Sequence, residues 1–484
     1  MNIFHRFFKN KKQKTKPAKT YNKDISSNLS QNKLYMESIF HHTEDITSKE
    51  ITFLNRTGVM YYLNSLVNQF DVGERIIEPL FSAEENELQQ VLSFAAIEIT
   101  ECLEEVIELI IEGNCVIFFE SDPKAYVISV SEIISRDISF SETEQAVIGS
   151  HLGFIENLSK NLSLIRANVK NPNLSVKNHQ CGTRTRTKLA LVYVNNITDN
   201  KMIQKIVTRI SEININHLEG LGELQKYLED VPFTPFPQFL WTERVDKTAS
   251  LLLKGRVGLL VDGYSGCLIL PATFFDFFQA SDDFNSRWLI SLFYPSIRII
   301  ALVGSILLPA YYISIVSYNF DTISLDLILP IQDALQTVPF NPLVEATFMS
   351  LTLELLRESA VRLPRPIAET VGIVGGLIIG DAIVDAGLVS NFMIIIIALT
   401  GIATFIGPYN EMRVTIRLLS FPMMIAASIL GLAGMTFGII FIMIHLCILE
   451  PYGKPYLSFD YLLKLSSKIS FSRKRVPSKG SNKQ

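Results

Sequence analysis

The chain has 484 residues, with 44 Lys and Arg against 48 Asp and Glu, a formal net charge of −4 and 48% apolar residues. That length fits two or three domains, and the near-neutral balance, with basic runs confined to the ends, gives no footprint for a nucleic-acid partner. Cys102, Cys115, Cys181, Cys267 and Cys447 stand at no metal or disulfide spacing and fit a reducing compartment.

The average hides a division. Residues 1 to about 285 carry charges throughout, residues 288 to about 449 are dominated by Ile, Leu, Val, Gly, Ala and Phe, and the end turns basic again. The expected fold is an α/β cytosolic region of two subdomains followed by an all-α polytopic membrane domain.

Residues 1–45 include the basic run "FHRFFKNKKQKTKPAK" and read as a disordered tail. No apolar stretch of signal-peptide type follows the charges, so the soluble half is expected to stay inside the cell. Residues 46–145 form the first α/β subdomain. "VMYYLNSLVNQF" and "ELQQVLSFAAIEITECLEEVIELIIEG" have helical apolar spacing, and "CVIFFE" and "AYVISV" are strands flanking the turn "SDPK".

Residues 146–285 form the second α/β subdomain. "GFIENLSKNLSLIRANV", "NKMIQKIVTRISEI" and "LGELQKYLED" are helical, and "KLALVYV" is a buried strand. "GRVGLLVDG" and "GCLILPATF" are strands around "DGYSG". "GYSGC" starts like a nucleophile elbow, but Cys267 replaces its last glycine and a hairpin turn is the better reading. "PFPQFLWTERVDK" is a proline-stiffened connector. No phosphate-loop or dinucleotide glycine motif is present, and the histidines have no metal spacing. No catalytic, cofactor or metal site is expected, and no enzyme activity.

Residues 286–450 form the membrane domain, with strong spans at about 288–317, 367–389, 391–409 and 415–448. The segment 342–362 is helical but carries Glu345, Glu354, Arg357, Glu358 and Arg362; it reads as an amphipathic or re-entrant piece whose topology stays open. Residues 451–484 are a basic tail expected in the cytosol beside anionic lipid.

The helix "TVGIVGGLIIGDAIVDAGLV", residues 370–389, places Asp381 and Asp385 one turn apart inside an apolar stretch. At about 100° per residue, Gly372, Gly376 and Gly380 form a small-residue packing face. Thr370, Val374, Ile378, Asp381 and Asp385 lie opposite, the stripe that would line a pore. A carboxylate facing lipid costs at least a few kcal/mol, so the acids need a water-filled path, a cationic partner or a helix end near the interface. Arg298 in the first span is the candidate partner for an intramembrane ion pair. Gly431, Gly434 and Gly438 again permit close helix approach.

The strings "NLSLIRANVKNPNL", "RTKLALVYV", "PFPQFLWTERVDKTASLLLKGRVGLLVDG", "FFQASDDFNSRW" and "VPFNPLVEATFMSLTLELLRESAVRLPRPIAETVGIVGGLIIGDAIVDAGLVS" follow one another within about residues 46–460. Together and in this order they resemble the A subunit of the GerA-type germinant receptors of endospore-forming bacteria. The resemblance implies a subunit that works in the spore inner membrane with a permease-like B subunit and a lipoprotein C subunit. It implies a nutrient-triggered start to germination and a homo-oligomer, a pentamer in current thinking, that opens a cation-conducting channel. Two other readings stay open: a receptor scaffold or signalling subunit without its own pore, and a secondary transporter.

Overall fold

The computed structural model describes residues 24–54, 56–81, 88–92, 97–130, 144, 152–280, 282–283, 286–319 and 325–458. The chain divides into two compact units, residues 1–135 with 162–177, and residues 136–161 with 178–484.

The first unit is built on a five-stranded sheet of order β1-β2-β4-β5-β3. Its strands are β1 (Ile46–Phe53), β2 (Arg56–Leu63), β3 (Ile97–Thr100), β4 (Asn114–Phe119) and β5 (Ala125–Ser129). All neighbours are antiparallel. Helices α1 (Leu29–Phe40) and α2 (Leu103–Ile111) contribute to a core with Val59, Tyr61, Val116 and Phe118. The other face packs Met60, Tyr62, Cys115, Ile117 and Phe119 against Val72, Ile76 and Leu80. Odd and even positions of β2 and β4 thus serve different cores, which is the period-2 rule applied to a sheet buried on both faces.

That double burial corrects the sequence reading. "VMYYL" was expected to be helical, but it lies in β2 of the β1–β2 hairpin. A strand buried on both faces shows no alternation, and a short apolar run then looks like helix. The long helix expected up to Gly113 is also interrupted: Leu88–Val91 is a short helix, Ile97–Thr100 pairs with β5, and Leu103–Ile111 is helical before that glycine. The polar tail assigned to 1–45 contains α1, capped by Asn28 and anchored by Met36 and Phe40, which are 0% and 2% exposed.

A buried polar knot ties this unit together. The Arg166 Nε donates to Asp45 Oδ2 at 3.1 Å, and Arg166 Nη2 donates to Thr43 Oγ1 at 3.2 Å. Asp45 also accepts from the Ser65 amide at 3.0 Å and from the Ser65 hydroxyl at 2.6 Å.

A second five-stranded sheet has the order β6-β7-β9-β10-β8. Its strands are β6 (Leu174–Cys181), β7 (Thr187–Val194), β8 (Leu240–Thr242), β9 (Val257–Val261) and β10 (Cys267–Leu270). Helix α3 (Leu158–Asn168) precedes β6. Helices α4 (Asn200–Glu212) and α5 (Leu221–Leu228) cover one face through Met202, Ile206, Ile210, Leu224 and Leu228. Helix α6 (Val245–Leu252) follows β8. "GYSGC" spans the β9–β10 turn, where Gly263 has φ 86°. Cys267 is buried in β10, and burial pushes its thiol well above the usual range, unlike an activated nucleophile.

The helical bundle follows: α7 (Trp288–Tyr318), α8 (Leu325–Thr337), α9 (Pro342–Arg362), α10 (Arg365–Asp385), α11 (Asn391–Phe405) and α12 (Asn410–Ile448). Among the described residues, Leu289–Tyr318 and Asn410–Ile448 are long and apolar enough to cross a membrane. Helix α11, at 15 residues, reaches only about 22 Å.

Helix α12 is not one straight rod. Gly431 has φ 62° and ψ −141°, outside helical space, and the chain folds back there. A Cβ on Gly438 would lie 2.7 Å from the Met423 sulfur, and one on Gly434 would run into the Ala426 carbonyl. In a straight helix, Met423 and Gly438 would stand about 22 Å apart. The span expected at 415–448 is therefore two antiparallel arms. Each can cross about 25–30 Å, and both ends of the hairpin return to the same side.

Candidate functional site in the helical bundle

Helix α10 enters with Pro366 in its first turn and stops in a Schellman motif. The Gly387 amide donates to Val384 O at 2.8 Å, and Leu388 N donates to Ile383 O at 3.0 Å, with Gly387 at φ 62°. Ser390 then caps α11 by accepting from Met393 N at 3.3 Å. The Ser390 amide donates to Glu345 Oε2 at 3.0 Å, and Glu345 is 1% exposed on the first turn of α9. That carboxylate lies where two helix N-termini can stabilise negative charge.

Most of the described residues of α10 are exposed within one chain. Ile383 joins the core of Tyr312, Ile313, Val316, Met393 and Met424, and Gly375 lies beside Leu356 of α9. Thr370, Asp381 and Asp385 are exposed, and neither aspartate has an ion-pair partner among the described residues. A Cβ on Gly372, Gly376 or Gly380 would meet nothing within 4 Å. The side chains of Val374 and Ile378 lie outside the described set.

Arg298 has a different neighbour from the one anticipated for it. Its Nη1 pairs with Asp283 Oδ2 at 2.5 Å and donates to Phe278 O at 3.2 Å. This fastens the start of α7 to the end of the soluble subdomain. The far end of α7 meets the hairpin turn, where the Tyr318 hydroxyl donates to Ser428 O and Ile429 O at 2.8 and 2.9 Å. Through Ile383 and its core partners, Asp381 and Asp385 belong to that far end.

At the near end, a second charged group ties three helices. Glu354 Oε1 accepts from Arg357 at 2.7 Å and from Arg417 at 2.8 Å. Arg357 also reaches Thr404 Oγ1 of α11 at 3.0 Å.

Both ends of the hairpin dock on the soluble subdomain. Thr415 Oγ1 donates to Pro235 O at 2.6 Å, and Gln225 Nε2 donates to Glu411 Oε1 at 3.3 Å. From the other arm, His445 Nε2 pairs with Thr234 Oγ1 at 2.7 Å, and its ring stacks on Phe236 at 5.9 Å. The segment after the hairpin is tied back as well. Asp230 accepts the Tyr452 amide and pairs with Lys205 and Arg209. Burial alone would raise the Asp230 carboxyl, but Lys205, the Tyr452 amide and Arg209 together hold it below the usual range. Tyr456 is fully buried and donates to Pro237 O at 2.9 Å. The proline-stiffened connector is thus the seat of the hairpin. The sequence exposed its rigidity, but partners some two hundred residues away left no local signal.

Among the described residues, no group of His, Cys, Asp and Glu could hold a metal ion. Residues 34–484 match the family described as Bacillus/Clostridium GerA spore germination protein. The chain belongs to the GerA family. Among its relatives is the "Uncharacterized membrane protein YfkQ" of Bacillus subtilis (strain 168), 35% identical over 90% of this chain and 86% of that protein. "Spore germination protein GerQA" of Bacillus cereus is 34% identical over 86% of this chain and 84% of its own. "Spore germination protein KA" of Bacillus subtilis (strain 168) is 34% identical over 90% and 82%. The N-terminal domain of the A subunit of the Bacillus megaterium spore germinant receptor GerK3 aligns with 52% of this chain and 97% of its own length, at 21% identity and a TM-score of 0.39. GerA-family membership makes this chain a member of the spore germination receptor A subunits.

Proposed function

We propose that this chain is the A subunit of a nutrient-sensing germination receptor in the spore inner membrane. It assembles with a permease-like B subunit, a lipoprotein C subunit and copies of itself, in a ring we take to be a pentamer. Helix α10 of each copy faces the axis. Asp381 and Asp385 then repeat as acidic rings that attract cations, and Val374 and Ile378 form an apolar constriction that gates by dewetting. The N-terminal units lie in the cytosol. Arg357, Arg413 and Arg417 at the docked end support that side by the positive-inside tendency.

The observation that carries this reading is the bareness of α10. It presents an open glycine ridge and carboxylates without an ion-pair partner among the described residues, although lipid is a costly neighbour for both acids. A neighbouring copy supplies what the single chain lacks. The hairpin seated on the soluble subdomain gives a contiguous route for movement to reach the bundle.

Gly376→Leu tests the assembly. Within one chain the added side chain starts in open space, since its Cβ meets nothing within 4 Å. The variant monomer should therefore fold normally, while the oligomer recovered by size-exclusion in detergent should fall at least severalfold. An unchanged oligomer would remove α10 from the interface between copies.

A further inference from the structure

The docked end of the bundle carries more positive charge than its own carboxylates balance. Arg357 and Arg417 share a single oxygen of Glu354. Arg413 stands one turn before Arg417 on the same side of its helix. Its Nη2 donates to Asn410 Oδ1 at 3.3 Å, and no carboxylate among the described residues pairs with it. Glu411 is engaged elsewhere, by Gln225. Two guanidiniums thus share one carboxylate, and a third stands beside them without one among the described residues. Arg357 Nε and Arg413 Nε are buried with no acceptor among the described residues. The group is not sealed, for the Arg357 and Arg417 side chains are 16% and 20% exposed.

Unbalanced guanidiniums at the edge of a bilayer are costly until an anion completes them. Their planar forks match the oxygens of a phosphate. The surface around the opening is apolar: Phe405, Ile406, Val414 and Leu418 are all exposed, and the Arg357 guanidinium lies over the Phe405 ring at 4.7 Å. A free anion would leave that surface bare, whereas acyl chains would cover it.

We propose that Arg357, Arg413 and Arg417 form a binding site for the phosphate of an anionic lipid headgroup, in the leaflet on the side of the soluble domain. The site does not depend on the pore assignment, because it lies at the opposite end of the bundle from Asp381 and Asp385.

The test titrates the full-length chain in neutral detergent with phosphatidylglycerol, phosphatidylcholine or inorganic phosphate and follows binding by native mass spectrometry. Phosphatidylglycerol should bind about tenfold more tightly than phosphatidylcholine. Arg413→Gln should bring the two lipids close to parity, and Arg413→Lys should keep most of the preference. An unfolding temperature for Arg413→Gln in phosphatidylcholine equal to that of the natural chain separates lost recognition from misfolding. Should Arg413→Gln fail to fold, the preference of the natural chain and of Arg413→Lys decides. Equal binding of both lipids by the natural chain, or a preference that survives in a folded Arg413→Gln, overturns the proposal. So does competition by inorganic phosphate as strong as that of phosphatidylglycerol, which would assign the site to a soluble anion.

Discussion

Replacing Gly431 with valine is expected to remove most of the protein from the membrane fraction. The backbone at φ 62° and ψ −141° lies in a region essentially reserved for glycine, and a β-branched residue there costs about 1–3 kcal/mol in strain alone. The new Cβ would also stand 3.2–3.3 Å from Tyr318 side-chain atoms. That ring cannot swing aside freely, because its hydroxyl is held by Ser428 O and Ile429 O, carbonyls released where the first arm of α12 ends. A combined loss of about 3 kcal/mol would lower the folded-to-unfolded ratio more than a hundredfold and remove a large share of a marginal protein's stability. Gly431→Ala should show the milder form of the defect. Receptor abundance by blot and the unfolding temperature of purified protein are the readouts. Natural values for the valine variant would mean that residues 410–448 run through as one helix.

Asp45→Ala is expected to destabilise the N-terminal unit by about 3–5 kcal/mol. Arg166 and Asp45 have side chains 1% and 4% exposed, so removal of the acid leaves a buried guanidinium that still donates to Thr43 but has lost its counter-charge. The Ser65 amide and hydroxyl lose their acceptor in the same change. Hydrogen exchange on the full-length chain should show β1 and β2 opening far faster, with the α12 hairpin unaffected. Pairing Asp45→Leu with Arg166→Met should recover much of the loss, since a well-packed apolar pair avoids the desolvation of both charges. Equal exchange in Asp45→Ala and the natural chain would mean that water reaches the knot.

These two sites show where the sequence was legible and where it was not. Strongly periodic helices such as "NKMIQKIVTRISEI" and the hairpin around "DGYSG" are readable because each pattern is local. The spacing of Gly431, Gly434 and Gly438 is readable as close approach, but not that the approaching partner is the same segment folded back. That depends on the backbone at one glycine, and the apolar sequence on both sides of Gly431 gives no cue to a reversal. In the first unit "CVIFFE" and "AYVISV" are legible as strands, but β2 was hidden for the opposite reason: burial on both faces erased the alternation that marks a strand. In the bundle, Asp381 and Asp385 were conspicuous as acids in an apolar helix. The pairing of Arg298 with Asp283, and the seat of His445 on Thr234, come from tertiary contacts that no local pattern encodes.

The measurement that bears most directly on the function is nutrient-triggered cation release from spores carrying Asp381→Asn and Asp385→Asn together, with receptor abundance followed by blot. Both side chains are exposed within one chain and take no ion partner among the described residues, so neutralising them should leave folding and abundance unchanged. Release should slow at least tenfold or change its ion preference, as two lost rings of charge require. Natural release at natural abundance would contradict the account and move the ion path away from α10.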